Sequence, residues 1–161
     1  MDQQEAERLI ALHADAVYRM AYVKTGKRED AEDVTQETFL RMLRCGKTFR
    51  DEEHRRAWLL RVANNYAVDL LRAPWHKRCG SLEEAQAAAP VSEPELSEVL
   101  DAVLSLPEKY RAVIHLFYYE GYSTAQIAQV LEKNETTVRS LLSRGRKQLK
   151  QVLKEAYDFA D

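Results

Sequence analysis

The sequence predicts an all-α protein of two small helical domains joined by a flexible linker, the second domain containing a helix-turn-helix. Apolar residues recur at spacings of three and four through most of the 161 residues. A stretch rich in proline and alanine interrupts this period at 75–94. Two short periodic segments joined by a tight turn then occupy 123–149. We therefore expect domains at 1–74 and 95–161.

The first domain is predicted to contain three helices. The first runs from about Gln4 to Lys24 and ends at Gly26. Asp30 is expected to cap the second helix at its N-terminus. The stripe that this helix should bury consists of Ala31, Val34, Thr38, Phe39, Met42 and Leu43.

The opposite side of the second helix is predicted to form an acidic face. It consists of Asp33, Gln36, Glu37 and Leu40 at helical spacing. The helix dipole alone accounts for acidic residues in a first turn. It does not account for a large aliphatic residue among them, so we interpret the face as a candidate docking surface for a basic partner helix.

A segment without a sustained period, residues 45–56, is predicted to form a loop with an exposed Phe49. A third helix follows from Arg56 to Arg72. Its predicted buried residues are Trp58, Leu59, Val62, Ala63, Tyr66 and Leu70. Its predicted polar residues are Arg61, Asn64, Asn65 and Arg72. Amide and guanidinium groups of this kind suit the unstacked bases of single-stranded or distorted DNA.

The second domain is expected to begin with two helices. Leu96, Val99, Leu100, Val103 and Leu104 give the first an amphipathic pattern. Residues 105–108 read as a capping box that opens the second, and Gly121 closes it. His115 is interpreted as a surface or packed histidine rather than a ligand.

The helix-turn-helix follows. A capping box of Ser123 and Gln126 opens its first helix, and Asn134 is predicted to cap the second. The second helix should bury Val138, Leu142, Gly145, Leu149 and Val152. Its outer side carries Arg139, Ser140, Ser143, Arg144, Arg146, Lys147 and Lys150. Cations interleaved with hydroxyls suit phosphate contacts and base edges in a major groove.

Charge is unevenly distributed along the chain. Residues 54–78 contain six basic residues and one acidic residue, whereas residues 79–108 contain seven acidic residues and no basic residue. Residues 109–161 are again basic, with nine cations and six anions. Two positive surfaces separated by an acidic connector are typical of a chain that grips two stretches of one DNA.

Several classes of protein and site are disfavoured. The chain has no run of eighteen apolar residues and no basic, apolar N-terminal leader, so we expect a cytoplasmic protein without membrane insertion. Cys45 and Cys79 are expected to be reduced, and Cys79 with His76 is too sparse for a metal site. We find no phosphate loop, activated nucleophile or catalytic carboxylate pair, and we expect no cofactor and no enzymatic activity.

Three motifs resemble those of bacterial RNA polymerase sigma factors of the sigma-70 family, extracytoplasmic-function subfamily. They are DAEDVTQETFLRMLR at 30–44, AWLLRVANNYAVDLLR at 57–72, and LPEKYRAVIHLFYYEGYSTAQIAQVLEKNETTVRSLLSRGRKQL at 106–149. The resemblance implies a transcription initiation factor that binds core RNA polymerase and promoter DNA, with an anti-sigma factor as a further partner.

The resemblance also implies residue roles. The residues implied to contact core polymerase are Asp30, Asp33, Gln36, Glu37 and Leu40. Those implied to read and open the −10 element are Phe49, Arg50, Arg55, Arg56, Arg61, Asn64, Asn65 and Arg72. Those implied to read the −35 element are Arg111, Thr136, Thr137, Arg139, Ser140, Ser143, Arg144 and Lys147. In the family the turn usually reads Leu-Gly-Ile-Ser; here it reads Leu131-Glu132-Lys133-Asn134, which is expected to weaken it.

Two alternatives follow from the residues themselves. A helix-turn-helix repressor or activator would bind duplex DNA without polymerase. A metal-dependent nuclease or phosphotransferase would use the carboxylates of the second helix. Those carboxylates are Asp30, Glu32, Asp33 and Glu37. They lack an accompanying histidine, lysine or phosphate loop, which favours the sigma-factor interpretation.

Overall fold

The computed structural model describes residues 1–73 and 97–157. Every regular element in these ranges is a helix, which confirms the all-α prediction. The chain divides into two compact units, Met1–Ala89 and Pro90–Asp161. The predicted linker 75–94, His76, Cys79 and Leu96 lie outside the described residues. In the ranges that are described, no helix has both the length and the apolar character needed to cross a membrane.

Three helices pack around one core in the first unit. They are α1 (Gln3–Thr25), α2 (Arg28–Arg44) and α3 (Glu52–Arg72). Each contributes large side chains with almost no accessible surface, among them Leu9, Met20, Val34, Leu59 and Leu60. Burial of a side chain of this size stabilises the fold by roughly 1.5–3 kcal/mol relative to leaving it exposed.

Polar groups define the ends of α1. The Asp2 carboxylate accepts a hydrogen bond of 2.7 Å from the backbone N–H of Glu5, which satisfies one of the free donors at the start of the helix. Gly26 ends the helix with φ 73°, and its N–H donates to the carbonyl of Tyr22. The predicted end at Gly26 is therefore confirmed.

Two helix starts differ from the prediction. The second helix begins at Arg28, so Asp30 is not its N-cap but lies in the first turn, buried and four residues before Val34 on the same stripe. The third helix begins at Glu52 rather than Arg56. Its N-cap is Asp51, whose carboxylate accepts from the His54 N–H at 2.8 Å. The cap makes the helix four residues longer than its apolar period indicated.

The second unit also consists of helices. They are α4 (Ser97–Leu104), α5 (Glu108–Ile114), α6 (Thr124–Leu131) and α7 (Glu135–Tyr157). The predicted capping box at 105–108 is wrong, because the hydroxyl of Ser105 donates back to the Ala102 carbonyl at 2.6 Å and Pro107 occupies the N-cap. Ser105 thus closes α4 instead of opening α5.

The chain continues from α5 into one wider, π-helical turn, His115–Tyr119. The Glu120 N–H donates to the His115 carbonyl, and the His115 Nε2 and Glu120 Oε2 atoms lie 3.0 Å apart in a buried contact. His115 is therefore packed inside the unit. Gly121, with φ 78°, ends the turn as expected.

A glycine lets α7 lie close against α5. A Cβ atom at Gly145 would lie 3.2 Å from Cγ1 of Ile114 and 3.3 Å from Cβ of Tyr110. Val138 and Leu142, two turns and one turn earlier on α7, are buried on the same side. The close contact fixes which side of α7 faces outward.

The helix-turn-helix forms as predicted. Both hydrogen bonds of the Ser123 and Gln126 capping box are present. The side-chain oxygen of Asn134 accepts from the Thr137 N–H at 2.8 Å and caps α7. Between the helices, Glu132 occupies the left-handed region with φ 55° and ψ 48°.

Two residues predicted to be buried are exposed. Leu43 keeps 46% of its surface accessible, because it follows the last core residue of α2, Met42, by about 100° around the helix. Val99 is 51% exposed on the outer side of the short helix α4. Phe117 is half-buried.

The conformation of Glu132 generates a stability prediction. A residue with a Cβ atom in the left-handed region costs about 1–2 kcal/mol, whereas glycine avoids that cost but loses more chain entropy. We expect Glu132→Gly to stabilise the second unit by roughly 0.5–1 kcal/mol. Hydrogen exchange of the full chain, followed in peptides from α6 and α7, measures the change.

The control is Ala125→Gly, an exposed position inside α6 with ordinary helical geometry. There the same introduction of glycine should destabilise the unit by roughly 0.5–1 kcal/mol. Equal destabilisation by both variants would contradict the assignment of strain to Glu132.

Candidate nucleic-acid interfaces and an acidic docking face

The acidic face lies on the outer side of α2. Asp33 and Gln36 are exposed, Glu37 is partly covered, and Leu40 is 36% exposed. Glu37 also binds within the helix, because Arg41 Nε donates to its Oε2 at 2.9 Å. The face therefore presents polar and acidic groups around an accessible aliphatic side chain, an arrangement suited to a basic amphipathic helix.

Two residues change the extent of this face. Asp30, which the sequence placed among the docking residues, is buried beside the Val34 stripe and leaves the surface. Leu43, which the sequence placed in the core, lies three residues after Leu40 and is accessible. Compared with the prediction, the accessible face therefore has one acidic group fewer and one aliphatic group more.

Phe49 packs against the start of α3. Its ring lies edge-on to the rings of Trp58 and His54, with centroids 5.5 and 5.3 Å away. The Arg55 guanidinium carbon lies 4.6 Å from the centroid of Phe49. The prediction of an exposed Phe49 is therefore wrong, because these neighbours leave the ring only partly accessible.

A buried histidine of α1 fixes the start of α3. His13 is 4% exposed, and its Nε2 lies 2.8 Å from Glu52 Oε1. Because an ionised carboxylate only accepts hydrogen bonds, Nε2 is the donor. The same carboxylate oxygen lies 3.3 Å from Arg55 Nε, so contacts continue from the core through Glu52 and Arg55 to Phe49.

This contact perturbs the titration of Glu52. The hydrogen bond from His13, assisted by the nearby charge of Arg55, holds the pKa of the Glu52 carboxyl below its usual range. Sequence reasoning missed the pair, since 39 residues separate its members and no local pattern relates them.

The two adjacent asparagines of α3 have different environments. Asn64 was predicted to face DNA but is 6% exposed, because it lies on the buried stripe with Leu60 and Ala67. Its side-chain oxygen is buried without a hydrogen-bond partner within the described residues. Asn65, the next residue along α3, is half-buried. Of the two asparagines, Asn65 is therefore the one whose side chain reaches the surface.

The arginines implied to read the −10 element differ in accessibility. Arg50 and Arg72 are exposed. Arg55, Arg56 and Arg61 are half-buried. The surface formed by the loop and α3 therefore combines exposed charge at its two ends with packed guanidinium groups between them, which suits phosphate contacts beside a stacked or inserted base.

The outer side of α7 presents most of the predicted −35 residues. Those that are exposed are Thr136, Arg139, Ser143, Arg144 and Lys147. Thr137 and Ser140 are half-buried nearer the core. A single helix face thus presents three of these cations and two of these hydroxyls to solvent.

Two further cations already contact other groups of the second unit. Arg111 is half-buried, and its Nε donates to the Leu106 carbonyl at 2.9 Å. Burial also lowers the pKa of Arg111 from its ordinary value. The guanidinium of Arg146, which the sequence assigned to the basic face, lies 5.4 and 5.7 Å from the ring centroids of Phe117 and Tyr118.

A carboxylate connects the two helices of the helix-turn-helix. Thr124 Oγ1 donates to Glu135 Oε2 at 2.7 Å, and Arg139 Nη2 donates to the same oxygen at 2.9 Å. The hydrogen bond from Thr124, then the charge of Arg139, lowers the pKa of the Glu135 carboxyl. The spacing of four residues could have indicated the pair of Glu135 and Arg139, but the contact with Thr124 needs the turn geometry.

Comparison with known families assigns both units. Residues 9–77 match the family described as Sigma-70 region 2, and residues 96–149 match the family described as Sigma-70, region 4. The candidate loop and acidic face lie in the first matched range, and the helix-turn-helix lies in the second.

Curated relatives are similar over most of this chain. It is 36% identical to the ECF RNA polymerase sigma factor SigE of Mycolicibacterium smegmatis, covering 91% of this chain and 61% of the relative. It is also 36% identical to the ECF RNA polymerase sigma factor SigL of Mycobacterium tuberculosis, covering 89% and 85%. The chain thus spans less than two thirds of the first relative and most of the second.

Solved structures share the fold. The sigma factor RpoE of Bartonella quintana, crystallised with the anti-sigma factor NepR, superimposes with a TM-score of 0.72 at 22% identity, covering 94% of this chain and 98% of that one. CnrH, solved with the cytosolic domain of CnrY, gives 0.67 at 27% identity, covering 96% and 90%.

The lowered pKa of Glu52 generates a prediction about pH. A carboxylate whose pKa is depressed by folding adds stability above its unfolded pKa, and this stability is lost as the pH falls through the folded value. We expect the first unit to lose stability on acidification below about pH 4.5. Glu52→Gln should be less stable than wild type at pH 7 and nearly equal to it at pH 3.

The measurement is hydrogen exchange or chemical unfolding of the full chain at both pH values. Glu53→Gln provides the control, because Glu53 is exposed and lies 3.9 Å from Arg56, without a histidine partner. Glu53→Gln should follow the wild-type pH dependence. An equal gap between wild type and Glu52→Gln at pH 7 and pH 3 would contradict the role of the His13 contact.

Proposed function

The chain belongs to the extracytoplasmic-function group of sigma-70 factors, and from this premise we propose how its two units divide promoter recognition. As a sigma factor it is a transcription initiation factor that directs RNA polymerase to promoters and is not itself an enzyme. The observation that carries the division of labour is that each unit has its own core and its own match to one sigma region.

In this proposal, residues 1–74 bind core polymerase and recognise and open the −10 element. Residues 75–94 connect the units, and residues 95–161 read the −35 element. Support comes from the matched ranges 9–77 and 96–149, which leave residues 78–95, and so most of the connector, between them. Separate units allow one chain to contact two promoter elements at once.

We assign core polymerase binding to the acidic face. Asp33, Gln36, Glu37 and Leu40 are accessible on α2, whereas the buried Asp30 is withdrawn from the set. Charged groups around an aliphatic residue combine steering of a basic partner with a small apolar contact. Leu43 extends the apolar part of this contact.

Recognition of the −10 element is assigned to the loop and α3. The assigned residues are the predicted ones that are exposed or half-buried: Phe49, Arg50, Arg55, Arg56, Arg61, Asn65 and Arg72. Because a half-buried aromatic ring, a side-chain amide and several guanidiniums lie on one unit, this surface suits an unstacked base with phosphates on both sides. Asn64 is withdrawn because it is buried.

Recognition of the −35 element is assigned to α7. Its capped N-terminus and its outward cations match the requirements of a recognition helix in the major groove. The residues assigned are Thr136, Thr137, Arg139, Ser140, Ser143, Arg144 and Lys147. Arg111 is assigned a contact at the edge of this DNA-binding surface. Its half-buried guanidinium already donates to the Leu106 carbonyl.

The partners follow from this function. Core RNA polymerase supplies the catalysis, and promoter DNA is the ligand of both basic surfaces. We place the protein in the cytoplasm, where the polymerase acts. A sigma factor of the same fold binds an anti-sigma factor, and we propose that an anti-sigma factor also sequesters this chain.

The docking proposal predicts a loss of polymerase binding on charge reversal. Asp33→Arg with Gln36→Arg should leave the fold intact and weaken binding to core enzyme by about tenfold or more, because like charges meet at a desolvated contact. Titration of the labelled full chain with core polymerase gives the affinity. Asp15→Arg with Gln4→Arg makes the same changes at exposed positions of α1 and should bind normally. Equal affinities of the two double variants would contradict the docking assignment.

The division of DNA recognition predicts two separable defects. Asn65→Ala should preserve the closed complex and impair strand opening, because an unstacked base loses its amide partner. Arg144→Ala should weaken duplex binding by about 1–3 kcal/mol if the side chain reads a base. Permanganate footprinting of the holoenzyme on duplex and pre-melted promoters separates the two steps.

On pre-melted DNA, the Asn65→Ala holoenzyme should form the open complex normally. The Arg144→Ala holoenzyme should keep its defect in duplex binding. The control Asn64→Ala tests burial: it should alter stability without a selective defect in opening. Normal opening by Asn65→Ala would overturn the −10 assignment.

A further inference from the structure

The contact between Thr124, Glu135 and Arg139 joins the two helices of the helix-turn-helix at their first residues. Thr124 is the first residue of α6, and Glu135 is the first residue of α7. One carboxylate oxygen, Glu135 Oε2, accepts from Thr124 Oγ1 at 2.7 Å and from Arg139 Nη2 at 2.9 Å. The carboxylate is therefore fixed against α6 while it holds a side chain of α7.

This arrangement differs from an ordinary ion pair on a helix surface. An exposed pair at a spacing of four contributes little, because two mobile side chains must be ordered together. Here the hydroxyl of α6 orders the carboxylate independently of Arg139. The Glu135 carboxyl is ionised at neutral pH like any accessible glutamate. The hydrogen bond from Thr124 lowers its pKa further, and the N-terminus of α7 favours its charge.

The held arginine lies where a recognition helix reads bases. Arg139 is in the second turn of α7, its side chain is 65% exposed, and the neighbouring Val138 is fully buried. Residues near the start of such a helix contact base edges in the major groove. Later cations differ: the guanidinium of Arg146 lies beside the rings of Phe117 and Tyr118, and Arg144 and Lys147 are exposed.

The chemistry of the guanidinium favours base recognition by such a restrained side chain. One Nη2 donor binds Glu135, and the remaining donors of the planar group are left for a second acceptor. Arginine recognises guanine through two donors directed to O6 and N7, which requires a defined orientation. A phosphate contact requires much less, and a carboxylate close to the DNA backbone would oppose it electrostatically.

From these contacts we infer that Glu135 and Thr124 are positioning residues that orient Arg139 to read one base pair of the upstream promoter element. The inference rests on the proposed −35 function of the second unit. It assigns base discrimination to Arg139 and a supporting role to two residues that do not themselves contact the base.

The test is promoter selection by holoenzyme assembled from core polymerase and the full chain. The probe is a duplex promoter library randomised across the upstream element, and sequencing of the bound fraction gives the preference at each position. Arg139→Ala should reduce discrimination at one position by about tenfold. Glu135→Ala should reduce discrimination at that same position by several-fold. Its total affinity for the library should stay equal or rise, because a negative charge has been removed near the phosphates.

Conservative variants separate positioning from folding. Glu135→Gln retains the shape and an acceptor oxygen and should retain most of the discrimination, whereas Thr124→Val removes the hydroxyl at nearly constant volume and should lose part of it. The double variant Glu135→Ala with Arg139→Ala should discriminate no less than Arg139→Ala alone, because the two residues act as a unit. Asp101→Ala, an exposed acidic residue of α4, controls for net charge and should leave the preferences unchanged.

Three results would overturn the inference. Glu135→Ala could weaken binding to all sequences equally and lower the melting temperature, which would make the contact structural only. It could abolish preference at a position that Arg139→Ala leaves intact, which would mean that Glu135 itself accepts from a base. Finally, wild-type holoenzyme could select no upstream element, and this result alone would also remove the proposed −35 function.

Discussion

Each unit must bury one side of every helix in a small core, and this requirement decides which side chains remain available for binding. Leu60, Asn64 and Ala67 of α3 lie on one buried stripe, so Asn65 is the adjacent amide that reaches the surface. On α7, the close approach at Gly145 turns Val138 and Leu142 inward and leaves Arg139 and the later cations outside. The proposed binding surfaces therefore consist of the sides of the helices that the cores leave exposed.

Polar contacts at helix starts then set the finer geometry of these surfaces. Asp51 and Asn134 cap the helices that carry the two basic surfaces. Glu52 and Glu135, next to those caps, each bind a partner from another helix and an arginine of their own helix. An ionised side chain in a first turn is favoured by the helix dipole, so the same position stabilises the helix and orders an arginine.

The two basic surfaces consequently differ in how their arginines are held. Arg55 packs against Phe49 and is paired with Glu52. It therefore stabilises the loop in addition to contributing positive charge. Arg139 is held by one nitrogen and extends into solvent. A packed cation suits a surface that must keep its shape beside an unstacked base, and an extended one suits entry into a groove.

The sequence by itself determined the helical class, the two-unit organisation, most helix ends and the outward face of α7, because these follow from local periodicity and from caps such as Ser123 with Gln126. Tertiary structure decided the rest. Whether Asp30 and Asn64 are buried depends on how much of the surface of α2 and α3 the neighbouring helices cover. The apolar period of a single helix does not show how far this covered surface extends. The contacts of His13 with Glu52 and of Thr124 with Glu135 join residues on different helices. Such pairs meet only when the helices have packed, because a side chain reaches just a few ångströms and sequence spacing fixes only neighbours on one helix.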